Sequence, residues 1–137
     1  MIGIVIVAHG GLAREYLSAV EHVVGQQPGV ISIAIHPEDD RRLKQAEICA
    51  AADSVDQGDG VVIVTDMFGG SPSNLSLRAC GPANRRIMYG ANLPMLIKLS
   101  KSRSKPVDIA VQLALESGRK YIDAQIVGED LGMNWAS

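Results

Sequence analysis

Three runs constrain this chain more than anything else in it: "IGIVIVA" at 2–8, "VISIAI" at 30–35 and "VVIVT" at 61–65. Each is short, β-branched and apolar without alternation. A strand with one wet face alternates; a strand covered on both faces does not. Between the runs the pattern changes to a helical period. Leu12, Tyr16, Ala19, Val20, Val23 and Val24 fall on one face, and Arg14, Glu15, Ser18, Glu21 and His22 on the other. "HPEDD" (36–40) opens a second helix, with acidic residues in its first turn, that runs to about Val55 before "QGDG" breaks it. "DMFGGSPSN" (66–74) is a loop leading into a helix from about Pro72 to Cys80. "RIMYG" (86–90) reads as a weaker fourth strand. Pro94 and Pro106 sit where a first helical turn tolerates proline, and Gly118 ends the last helix. "YIDAQIV" (121–127) reads as a final strand.

Strands alternating with helices predict one α/β domain, a mostly parallel sheet with helices on both faces. With four parallel strands the commonest order is 2-1-3-4. There the chain reverses direction between strands 1 and 3, and ligands bind in the crevice outside the carboxyl ends of the strands. The 137 residues suffice for one such core and not for two. The domain is predicted over 1–128, with a polar, poorly ordered tail over 129–137. Aromatics are only 4%, so the core must be aliphatic and alanine-rich. A formal net charge of −2 gives no electrostatic reason to expect nucleic acid or an anionic membrane as partner. No apolar run approaches the roughly 18 residues that span a bilayer. The N-terminus lacks a basic leader, so the expected compartment is the cytoplasm. Cys49 and Cys80 show no C-x-x-C spacing and are expected to be reduced, half-buried thiols. The runs "EDDRR" and "KLSKSRSK" are expected to be solvated faces, the second with some scope for docking an acidic partner.

The order 2-1-3-4 makes neighbours of the strand ending at His9 and the strand ending before Asp66. A carboxylate beside an imidazole takes a hydrogen bond from one ring nitrogen, fixes the tautomer and makes the other nitrogen a better nucleophile. Gly10 and Gly11 serve either a tight turn or the approach of backbone N–H groups to an anion at a helix N-terminus. Gly69 and Gly70 carry the same two readings. Ser71 is either a phosphate ligand or the N-cap before Pro72. A nucleophilic imidazole, an orienting carboxylate and two anion-binding corners suit a phosphoryl group held on histidine and passed on. They suit ATP hydrolysis poorly, since no G-x-x-x-x-G-K-[ST] loop is present. No cofactor and no metal are expected. His36 is expected to start a turn before Pro37, and Asn92 to cap the helix that contains Pro94.

"VIVAHGG", "VIVTDMFGGSPSN" and "YGANLPML" together resemble the IIA component of the mannose-type sugar phosphotransferase system, from residue 1 to about 127. The resemblance implies a phosphotransferase component that works through a phosphohistidine. His9 would accept phosphate from phospho-HPr and pass it to a separate IIB protein, in sugar transport or a regulatory relay. It implies Asp66 as the residue that orients His9 and Ser71 as a hydroxyl supporting the phosphate. It also implies a homodimer that exchanges an antiparallel C-terminal strand, for which "YIDAQIV" is the candidate, and contact with a membrane only through a permease complex. Two positions depart from the family pattern. Ala8 stands where a serine or threonine is common before the histidine, and Met67-Phe68 where Thr-Trp is common; Phe68 could still face a partner. The alternatives are the phosphotransfer subunit of a dihydroxyacetone kinase and a regulatory module that senses phosphoryl flux without delivering it. A phosphohistidine phosphatase would need an arginine where Ala8 stands, and a dinucleotide enzyme would need G-x-G-x-x-G after strand 1.

Overall fold

Four parallel strands pair in the order β2-β1-β3-β4: β1 Gly3–His9, β2 Val30–Ile35, β3 Val61–Thr65 and β4 Arg85–Met88. This is a computed structural model, and it describes residues 1–67 and 81–128. The described helices are α1 Leu12–Val24, α2 Arg41–Val55, α3 Leu93–Lys101 and α4 Val107–Lys120. The α/β class and the strand order match the expectation from the sequence. The expected Pro72–Cys80 helix and the 129–137 tail lie outside the described residues.

The absence of alternation in β1 has its counterpart in two apolar layers. Ile2, Ile4, Ile6 and Ala8 face one side, where Val62, Val64 and Met88 meet α1, α3 and α4. Val5 and Val7 face the other, with Ile33, Ile35, Val61 and Ile63, under Ile48, Ala52 and Val55 of α2. Both faces are therefore covered, as continuous β-branched strands require. Ala8 is fully buried in the first layer.

Several local expectations shift. α1 is rotated about its axis: Ala13 and Val20 are its buried residues, with Tyr16, Leu17 and Val24 packed beside them, whereas Leu12 and Val23 are exposed. The charged run before α2 stays outside the helix. Asp40 is the N-cap, its side chain accepting from the Leu43 N–H, and no acidic residue lies in the first turn. The N–H of His36 donates to Asp39 Oδ2 at 2.8 Å, so "HPED" is a side-chain-closed turn. α4 runs through Gly118 to Lys120. The glycine marks close packing rather than a helix end, since a Cβ there would lie 3.1 Å from Met95 Cβ.

Residues 121–127 form no strand in the single chain beyond an isolated bridge at Gln125, and Tyr121, Ile122 and Val127 are exposed. A lone apolar segment has no ladder to join unless a sheet edge is offered to it. The "KLSKSRSK" run is not wholly solvated either. Arg103 is 3% exposed, and its Nε donates to Ile2 O at 2.7 Å. Cys49 is disulfide-bonded, contrary to the expectation of reduced thiols. The spacing of the two cysteines carries no signal for such a bond, which depends on tertiary proximity; Cys80 lies outside the described residues.

Candidate functional site

β1 and β3 run side by side with Val7 opposite Thr65, so both chains leave the sheet at one edge of the crevice. His9 is the last residue of β1, and Asp66 is the first residue past β3. Asp66 Oδ2 accepts from the backbone N–H of His9 at 3.1 Å and pairs with His9 Nδ1 at 2.9 Å. A carboxylate has no proton to give, so Nδ1 is the donor, and the lone pair of the neutral ring lies on Nε2. The imidazole is 47% exposed, while the carboxylate is 10% exposed. The ring is therefore half open to solvent, and the orienting carboxylate is largely withdrawn from it. Asp66 Oδ1 is buried and has no hydrogen-bond partner among the described residues.

The two glycines after His9 separate into different jobs. Gly10 has φ +57°, and its N–H donates to Ile35 O at 2.9 Å. It extends the β1–β2 ladder and makes a turn that side chains resist, so its N–H is not offered to an anion. Gly11 has ordinary φ and is the N-cap of α1, with no side-chain cap. The first turn of α1 thus begins close after His9 in the chain, and among the described residues no side chain caps its N–H groups, an arrangement that favours an anion. Phe68, Gly69, Gly70 and Ser71, the rest of the expected site, lie outside the described residues.

Asn92 caps α3, its Oδ1 accepting from Met95 N at 3.0 Å. Among the described residues no three His, Cys, Asp or Glu side chains come together as metal ligands. A hollow of about 350 Å³ lies between α3 and α4, lined by Lys98, Lys101, Lys120 and Tyr121 among others, and shares no residue with His9 or Asp66. Sequence reasoning missed Tyr16, which it placed only as an apolar-face residue. The Tyr16 hydroxyl donates to Ala91 O at 3.0 Å. Burial and, to a lesser extent, the negative charge of Asp66 hold this phenol above its ordinary titration range. The hydroxyl on an otherwise apolar stripe was the one available signal.

Residues 3–111 match the family model described as the PTS system fructose IIA component. The PTS system mannose-specific EIIAB component of Escherichia coli strain K12 is 30% identical over 126 residues, which are 90% of this chain and 39% of that protein. The chain thus spans about two fifths of the length of that curated relative. Among solved structures, phosphotransferase system component EIIA from Streptococcus agalactiae superposes with a TM-score of 0.79 at 27% identity, over 89% of this chain and 95% of that one. The mannose/sorbose specific IIA subunit from Enterococcus faecalis shares the fold with a TM-score of 0.81 at 23% identity, over 93% and 96%. No helix among the described residues is long and apolar enough to cross a membrane. With more than half of its length matched to that model, the chain belongs to the mannose-type IIA family of the sugar phosphotransferase system, a family of phosphoryl-transfer components.

Proposed function

We propose that this chain is a phosphoryl carrier in which His9 Nε2 takes phosphate from phospho-HPr and gives it to a separate IIB protein. The observation that carries the reading is the Nδ1–Oδ2 contact of 2.9 Å beneath a half-exposed imidazole. The carboxylate holds the proton on Nδ1 and leaves the lone pair on Nε2 toward solvent. In the first step an Nε2–P bond forms as the P–N bond to the HPr imidazole breaks, in line, with HPr as leaving group. In the second, a nucleophile of IIB attacks the same phosphorus and His9 leaves. Asp66 opposes the positive charge that grows on the ring as Nε2 bonds phosphorus, a charge that falls again when His9 leaves in the second step. The uncapped start of α1, with Gly69, Gly70 and Ser71 as the second corner, would take the phosphoryl oxygens. Such transfers need positioning and charge stabilisation more than covalent help from the protein. On this reading the protein works in the cytoplasm, reaches a membrane only through a permease, and pairs as a homodimer through residues 121–127. Phe68 faces its partners.

The test is incubation with enzyme I, HPr and phosphoenolpyruvate, followed by intact mass and acid treatment. One acid-labile phosphate, absent from a folded His9→Ala variant, is expected. A variant that still takes phosphate, or a wild-type chain that takes none from charged HPr, would overturn the assignment.

A further inference from the structure

Tyr16 closes a ring of contacts around the His9–Asp66 pair. Its hydroxyl donates to Ala91 O at 3.0 Å. The Ala91 N–H donates to Thr65 O at 2.9 Å. Thr65 directly precedes Asp66, is fully buried, and its Oγ1 reaches Met88 O at 3.4 Å. Asp66 Oδ2 takes both donors of His9, and the chain returns from His9 through Gly10 and Gly11 into α1, where Tyr16 lies on the second turn.

Each link of this ring is a hydrogen bond or the chain itself. It has a purpose because, among the described residues, Asp66 is held through Oδ2 alone. Oδ2 is bound by His9, the group that Asp66 must orient, while the buried Oδ1 has no partner among the described residues. The imidazole cannot fix the carboxylate that orients it, and the backbone N–H of His9 holds only the same oxygen, Oδ2. A further anchor comes through the backbone of Asp66 itself: Thr65 O is where that backbone is tied to Ala91 and then to Tyr16.

We propose that Tyr16 is a positioning residue for the His9–Asp66 pair, acting through Ala91 and Thr65 to set the carboxylate against Nδ1. The proposal rests on the reading of His9 as the phosphoryl carrier. The raised titration of the phenol agrees with it, because the charge of Asp66 contributes to the shift after burial. A purely structural tyrosine, an aromatic ring with a satisfied hydroxyl, would affect melting and nothing else.

The experiment uses the full chain with Tyr16→Phe, which removes one oxygen and keeps the ring packed, and with 4-aminophenylalanine at position 16, which restores an N–H donor. The first readout is the imidazole ¹⁵N shifts of His9, which report the Nδ1–H tautomer fraction without any phosphoryl donor. The second is the rate of transfer from phospho-HPr, separated from KM. Tyr16→Phe is expected to lower the Nδ1–H fraction and slow transfer by about threefold to tenfold with KM unchanged, the size of one lost net hydrogen bond. The amino variant is expected to restore both. A Tyr16→Phe protein whose tautomer fraction and transfer rate superimpose on wild type overturns the proposal, whatever its melting temperature. If wild type accepts no phosphate, the carrier reading fails, and the tautomer fraction alone still decides the role of Tyr16.

Discussion

Replacing Asp66 with asparagine separates charge from geometry, because the local structure dictates how the amide must sit. The backbone N–H of His9 lies 3.1 Å from Asp66 Oδ2 and is a donor at any pH. An amide NH₂ at that position would set donor against donor, so the amide oxygen takes the place of Oδ2 and still accepts from Nδ1. The NH₂ then replaces Oδ1, which is buried and has no partner among the described residues. Among the described residues one unpartnered polar group replaces another, and the fold should change little. What disappears is the negative charge 2.9 Å from Nδ1. Unit charges at that separation interact by about 1.4 kcal/mol in bulk water and about 6 kcal/mol at an effective dielectric of 20. The imidazole is 47% exposed, which weights the estimate toward water. About 1.5 to 3 kcal/mol follows, or roughly ten- to a hundredfold in the rate of transfer. Rapid-quench measurement from phospho-HPr reads this directly, with thermal melting as the control for folding. A rate within twofold of wild type, in a protein that melts normally, would remove Asp66 from the mechanism.

Other perturbations probe the scaffold. Gly3→Ala places a Cβ 2.6 Å from Val55 Cγ2 and 2.8 Å from Val55 Cβ, so urea unfolding should show a loss of about 1–3 kcal/mol or more; an unchanged midpoint would mean that α2 yields freely. Arg103→Leu removes the donor to Ile2 O and the contact to Gln27 Oε1 at 3.3 Å from a buried position, and should cost about 1–3 kcal/mol without touching phosphoryl transfer; a parallel loss of transfer would contradict that separation. Asp56, held low first by the Gly58 N–H and then by Arg85, and Asp108, held low by Arg86, have folded values below 3.8. Their contribution is therefore present above that pH and is lost as pH falls through the folded values. Acid unfolding should be less steep in Asp56→Asn, and an unaltered acid limb would refute the linkage. Truncation before Tyr121 should weaken a homodimer in sedimentation, whereas an equally tight dimer would exclude strand exchange through 121–127.

How much of this was legible beforehand can be traced residue by residue. Non-alternating β-branched runs require cover on both faces, because each exposed apolar face would cost free energy in water. That requirement, met between helical periods, was enough to reach the parallel sheet, its order 2-1-3-4 and the adjacency of His9 and Asp66. The motifs "VIVAHGG" and "VIVTDMFGGSPSN" were enough to reach the family. Only the tertiary structure decided details that depend on distance between segments remote in the chain. The rotation of α1 toward Ala13 and Leu17 is set by what α3 and the sheet present to it, since Leu12 and Ala13 satisfy the same period almost equally well. The burial of Arg103 depends on carbonyls at Ile2 and a side chain at Gln27, which no local pattern announces. Gly10 resolved into a turn because Ile35 O takes its N–H. Tyr16 looked like one more apolar-face residue until the fold brought Ala91 within 3.0 Å of its hydroxyl. A periodic pattern encodes which face is buried; it carries no record of which partner waits there.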